Sequence, residues 1–138
     1  MANIQKLLLI AAVSLTACLY SFAQKSMNAD DFAAKISFAK TVVNVGTISK
    51  DTTDMHFQFP FVNTGNAPLV LTYVHPSCSC MRVEYPRQPI APGDSGRIST
   101  IFLPSTIHEK NFKRHILIKS NADQPPVRLF IVGKLARF

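Results

Sequence analysis

The chain has 138 residues, 47% of them hydrophobic and 17% charged, with a formal net charge of +7. That length holds one domain with a single core that needs no disulfide staples. Three cysteines exclude a zinc ribbon built on two cysteine pairs. A basic balance fits a nucleic acid, an anionic membrane surface or an acidic partner, and the export signal described next excludes the first.

Residues 1–23 read as a signal peptide. Lys6 supplies the positive end, residues 7–20 are nearly continuous apolar, and Ser21-Phe22-Ala23 offers small residues where a signal peptidase reads them. The apolar run is too short for a comfortable membrane span and nothing later reaches that length, so the mature form has no transmembrane helix. Leu15-Thr16-Ala17-Cys18 resembles a lipobox, which would make Cys18 a lipidated first residue. Leu19 and Tyr20 carry the apolar run past that cut, which favours cleavage after Ala23. The expected product is exported: periplasmic, at the cell surface or secreted.

Residues 24–35 are polar and small and read as a tether, with Asn28-Ala29-Asp30-Asp31 able to cap a short helical turn. From Ile36 onward β-branched and aromatic residues dominate. Ile36-Ser37-Phe38 and Thr41-Val42-Val43-Asn44-Val45 read as one strand region, closed at Gly46 and the Ser49-Lys50-Asp51-Thr52 turn. Met55, Phe57, Phe59 and Phe61 then alternate with His56, Gln58 and Pro60, the pattern of a half-buried strand. Pro60 has no amide hydrogen, so its amide side belongs at an edge or irregularity.

Asn63-Thr64-Gly65-Asn66 is a turn, and residues 68–74 follow as a strand, apolar on both faces as in the middle of a sandwich. Beyond the cysteines, a short strand at residues 82–85 precedes a proline- and glycine-rich stretch. Strands over 96–103, 112–119 and 127–132 complete the chain. The pattern predicts an all-β fold, an immunoglobulin-like antiparallel β-sandwich of about seven strands, over residues 36–138. His108-Glu109-Lys110-Asn111-Phe112-Lys113-Arg114-His115 is the one dense basic run, and it reads as a solvated hairpin end.

Several stretches together resemble a known family. They are Phe61-Val62-Asn63-Thr64-Gly65-Asn66-Ala67-Pro68-Leu69-Val70, Ser77-Cys78-Ser79-Cys80, Tyr85-Pro86-Arg87-Gln88-Pro89-Ile90-Ala91-Pro92-Gly93, Lys119-Ser120-Asn121 and Gly133. In order and spacing they are similar to domain of unknown function 1573, exported bacterial domains abundant in Bacteroidetes and related to Hydin-like immunoglobulin-type modules. The resemblance implies a fold and an exported location, and no established activity. The family's usual Ser-Cys-Gly-Cys-Thr stands here as Ser77-Cys78-Ser79-Cys80-Met81.

The stretch His75-Pro76-Ser77-Cys78-Ser79-Cys80-Met81 gathers the residues most able to do chemistry. In an extended strand, positions two apart lie about 6.5–7 Å apart on one face, at the outer limit for a disulfide. If the segment is extended, Cys78 and Cys80 could grip Cu(I), with His75 or Met81 as a third ligand. If Pro76 and Ser79 kink it, a bridge between the two cysteines becomes feasible and a thiol–disulfide role opens. Simple packing of two small apolar side chains is the bland alternative.

No nucleophile elbow, phosphate loop or paired carboxylate spacing is present. The sequence therefore predicts a non-catalytic module that binds another protein or a cell-envelope component, with the copper or thiol site as the alternative.

Overall fold

The computed structural model describes residues 32–136. The expected signal peptide, Cys18 and most of the tether lie outside the described residues. Eight strands follow one another: β1 (Ile36–Phe38), β2 (Val42–Ile48), β3 (Met55–Asn63), β4 (Leu71–Pro76), β5 (Met81–Glu84), β6 (Ser95–Phe102), β7 (Asn111–Ser120) and β8 (Val127–Leu135). A 3-10 turn at Pro104–Thr106 lies between β6 and β7.

The strands form two four-stranded sheets, ordered β1-β3-β6-β5 and β2-β8-β7-β4. The fold is the expected β-sandwich, with differences of detail. The region expected as one strand divides into β1 and β2, which belong to different sheets: the chain pairs with β3 up to Phe38 and resumes with β8 from Val42. Because β2 continues in the direction of β1, it meets β8 in parallel, while the other ladders are antiparallel. The β2–β8 register shifts between Asn44 and Thr47. Gly46 takes φ +69° there, a value glycine adopts without a Cβ clash, and its N–H donates to Oδ1 of Asn44 at 2.9 Å.

Alternation explains the core. Phe59 and Phe61 of β3, Ile98, Thr100 and Phe102 of β6, Ile116 and Ile118 of β7, and Leu129 and Ile131 of β8 all point between the sheets and are buried. Each large apolar side chain there contributes roughly 1.5–3 kcal/mol by leaving water. Pro60 sits as expected. The Asn63 N–H donates toward β6, to the Asp94 carbonyl at 2.9 Å, so by alternation position 60 faces the other side. On that side β1 stops opposite Phe61, and the missing amide hydrogen leaves no ladder bond unmade.

Asn63 is fully buried and closes one end of the sandwich. Its Nδ2 donates to the carbonyls of Ala67 at 2.8 Å and Ile90 at 3.0 Å. Its Oδ1 accepts the N–H of Gly65 at 3.0 Å and of Lys35 at 3.4 Å. The last residues of the expected tether therefore run against this turn: Ala33 N–H donates to Oδ1 of Asn66 at 2.8 Å, and Ala34 is buried. The segment expected as a central strand at 68–74 also differs. Leu69 exchanges two hydrogen bonds with Ile90, and β4 begins only at Leu71, on the edge of its sheet.

Candidate functional site

The cysteine stretch is the corner at which the chain leaves one sheet for the other. Pro76, opposite Ile116, is the last paired residue of β4. Ser77 then makes a reciprocal pair with β7: its N–H donates to the His115 carbonyl at 2.8 Å and its hydroxyl accepts the His115 N–H at 3.0 Å. The chain turns across Cys78 to Met81, where the Met81 N–H approaches the Cys78 carbonyl at 3.4 Å. On the far side the Cys80 carbonyl accepts the N–H of Leu103, just beyond β6, at 2.9 Å.

This bend corresponds to the kinked alternative. Cys78 and Cys80 are joined in a disulfide with their Cα atoms 5.2 Å apart, well inside bridging range. Cys78 is half-buried and Cys80 is buried. Met81 is buried at the start of β5 and packs in the core. His75 lies on the outer side of β4, exposed, with its ring stacked on Tyr73 at 5.6 Å between centroids. The turn thus brings the cysteines together and sends His75 and Met81 to a surface and an interior respectively. A disulfide presents no thiolate, so in this state the pair offers nothing to Cu(I). Among the described residues no group of three or more His, Cys, Asp and Glu is placed to hold a metal.

A second feature grows from strand order and was not read from the sequence. On the outer side of the β2-β8-β7-β4 sheet, register sets Phe130 between Val42 and His115, and Leu117 between His75 and Arg128. Tyr73 stands beside Lys119, and Val132 beside Lys113. Tyr73 is 44% exposed and Val42 43%, one on each edge strand of this sheet. Lys113 Nζ sits 4.4 Å from the Phe130 ring centroid and Lys119 Nζ 5.5 Å from that of Tyr73, both within cation–π range.

The basic run at 108–115 splits between two places. Arg114 turns to the inner side, where it pairs with Glu109, while Lys113 and His115 face outward on the patch. The guanidinium of Arg114, hydrogen-bonded to the Glu109 carboxylate, holds that carboxyl below its usual range. The signal that could have revealed the face is the alternation Lys113, His115, Leu117, Lys119 within β7.

The opposite outer face is different in character. Between β3, β6 and β5 it holds a shallow depression of about 280 Å³ lined by His56, Gln58, Arg82, Glu84, Ser99 and Ile101. The Arg82 guanidinium and the Glu84 carboxylate share it. Among the described residues no helix is long and apolar enough to cross a membrane.

Comparison with known proteins agrees with this architecture. The family model described as "Protein of unknown function (DUF1573)" matches residues 36–135. No curated protein matches the chain. A crystal structure of a protein of unknown function from Porphyromonas gingivalis W83 is similar, with a TM-score of 0.68 and 18% identity over 81% of this chain. This chain spans only 51% of that one. The ASH/PapD-like domain 7 of human CEP192 aligns with a TM-score of 0.56 and 10% identity, covering 77% of this chain and 88% of that domain. The periplasmic chaperone SfaE aligns with a TM-score of 0.52 and 9% identity, covering 75% of this chain and 61% of its own. At such identities the likeness is one of fold, an immunoglobulin-like sandwich of PapD type.

Proposed function

The chain belongs to the family described as protein of unknown function (DUF1573), and from that premise we propose that it is an exported, non-catalytic binding module. Its contact surface is the outer face of the β2-β8-β7-β4 sheet, and its partner is a protein or other component of the cell envelope. The observation that carries this reading is the set of apolar and aromatic side chains on that face: Val42 paired with Phe130, then Leu117 and Tyr73 at successive diagonal positions of the register. Aromatic residues at the middle of a polar-rimmed patch are the usual anatomy of a protein contact.

Export is supported by the apolar leader with its small-residue cut site. The fold likeness to a periplasmic chaperone is consistent with it. A module of this kind needs no catalytic group, and the disulfide then serves to fix the corner beside the contact face.

The test is a crosslinked pull-down from envelope extract with three forms of the domain. A Tyr73→Ala, Leu117→Ser pair alters the proposed face, and a Gln58→Ala, Ile101→Ser pair alters the opposite one. The reading predicts a discrete partner recovered by the unaltered domain and the second pair, and lost with the first. Recovery of no partner, or equal loss with both pairs, would overturn it.

A further inference from the structure

The contact face has a charge pattern sharper than the chain's overall basic balance. The strands β2, β4, β7 and β8 contain five lysines and arginines, Lys113, Arg114, Lys119, Arg128 and Lys134, and no aspartate or glutamate. Arg114 is the inward one, paired with Glu109. The other four are exposed on the outer side. The opposite sheet carries Arg82 and Arg97 with Glu84 among them.

We infer that this face docks an acidic protein surface, one that sets carboxylates over Lys113, Lys119, Arg128 and Lys134 and an apolar side chain against Phe130. The inference rests on the proposed contact role of the face and adds the chemistry of its partner. Four like charges on one face, with no carboxylate to offset them, raise a potential that steers an anionic partner inward and repels a basic one. Lys113 and Lys119 already lie over Phe130 and Tyr73. Both lysines remain exposed, so a carboxylate can meet each ammonium group from the solvent side while the ring lies beneath it.

The relief of the face favours a protein over a bilayer. Phe130, Leu117 and Val132 in the middle of the face are half-buried, and the exposed Tyr73 and Val42 stand apart on its two edge strands. The face therefore offers no continuous exposed apolar surface to insert past headgroups. Membrane-surface binding relies on apolar side chains buried well into the acyl boundary. A partner with mixed carboxylates and apolar groups matches both the rim and the centre.

The probe is a fluorescently labelled random copolymer of glutamate and tyrosine, titrated with the whole domain at low and moderate salt. Two variants have the same change in net charge: Lys119→Glu with Arg128→Glu on the contact face, and Arg82→Glu with Arg97→Glu on the opposite one. Both pairs are exposed, and unfolding midpoints of each variant establish that it folds. A neutral pair, Lys119→Gln with Arg128→Gln, serves if the reversal does not. The inference predicts at least a tenfold loss of affinity for the contact-face pair, less than twofold for the other, and weaker binding as salt rises.

Equal losses in both pairs would overturn it in favour of unspecific charge attraction. No binding of the copolymer, with a partner still recovered through Tyr73 and Leu117, would overturn the acidic chemistry and leave the contact face standing. Face-dependent binding to vesicles of 30% phosphatidylglycerol in phosphatidylcholine, without binding to the copolymer, would replace the protein partner by a membrane.

Discussion

Ser77 and His115 hold each other through two hydrogen bonds, the Ser77 N–H to the His115 carbonyl at 2.8 Å and the His115 N–H to the Ser77 hydroxyl at 3.0 Å. The pair joins the corner that carries the disulfide to the strand that carries the middle of the contact face. Whatever the corner does is therefore felt on β7. His115 itself faces outward beside Phe130, 6.1 Å between ring centroids.

Ser77→Ala removes one of the two bonds and leaves the His115 N–H to water at the exposed edge. The expected cost is about 1 kcal/mol, read as a lower midpoint in urea with an unchanged slope. Amide exchange at His115 should quicken, while exchange at Ile131, deep in the core, changes only with global stability.

Reducing the Cys78–Cys80 disulfide opens a very short loop, so the entropic loss is small. The loop-closure relation gives about 1.5 kcal/mol. A Cys78→Ser, Cys80→Ser variant should unfold at lower urea concentration, by that margin, and still bind through the outer face. Added Cu(I) should leave the oxidised domain unchanged under anaerobic titration. Stoichiometric copper uptake by the reduced protein, lost in the double serine variant, would move the cysteine pair from a staple to a metal site.

Asn63 is fully buried and supplies two donors and one acceptor to the backbone around it. Asn63→Ala removes the side-chain partner of the Ala67 carbonyl and of the Gly65 and Lys35 N–H groups, while the Ile90 carbonyl keeps the Leu69 N–H. Buried groups left unpaired cost about 1–3 kcal/mol each, so a loss of about 3 kcal/mol is expected after relaxation. Thermal unfolding followed by circular dichroism checks it.

The Glu109 carboxyl titrates below its ordinary range because Arg114 hydrogen-bonds to the charged form. A group with a depressed folded pKa adds stability above its unfolded pKa and loses it as pH falls through the folded one. Arg114→Ala should therefore raise the Glu109 titration, followed by NMR, toward the usual glutamate range. It should also weaken the acid-side fall in stability that the pair contributes. An unchanged Glu109 titration would show that the pair is not formed in solution.

The sequence announced the sandwich clearly where alternation was strong, as over Met55 to Phe61, and the proline at position 60 found its open edge. It misled where apolar residues ran together. Residues 68–74 look central because Leu69 and Leu71 face the core while Tyr73 faces outward onto the patch. A run serving two surfaces in turn has the texture of a strand buried on both. Likewise nothing local marks residues 36–45 as two strands in different sheets. The turn at Cys78 was legible only as two alternatives, since backbone curvature is set by anchors at His115 and Leu103, far along the chain. The contact face was hidden for the same reason: Tyr73, Leu117 and Phe130 become neighbours only through strand order.

The most direct measurement places a photo-crosslinking amino acid at position 73 and, separately, at position 58, in the protein produced in its own cells. Both sites are exposed, and they lie on opposite outer faces. The account predicts a discrete adduct from position 73, absent from position 58, that disappears when Lys119→Glu and Arg128→Glu are added. Adducts from position 58 alone, or identical ones from both positions, would contradict the claim that the β2-β8-β7-β4 face is where this domain binds.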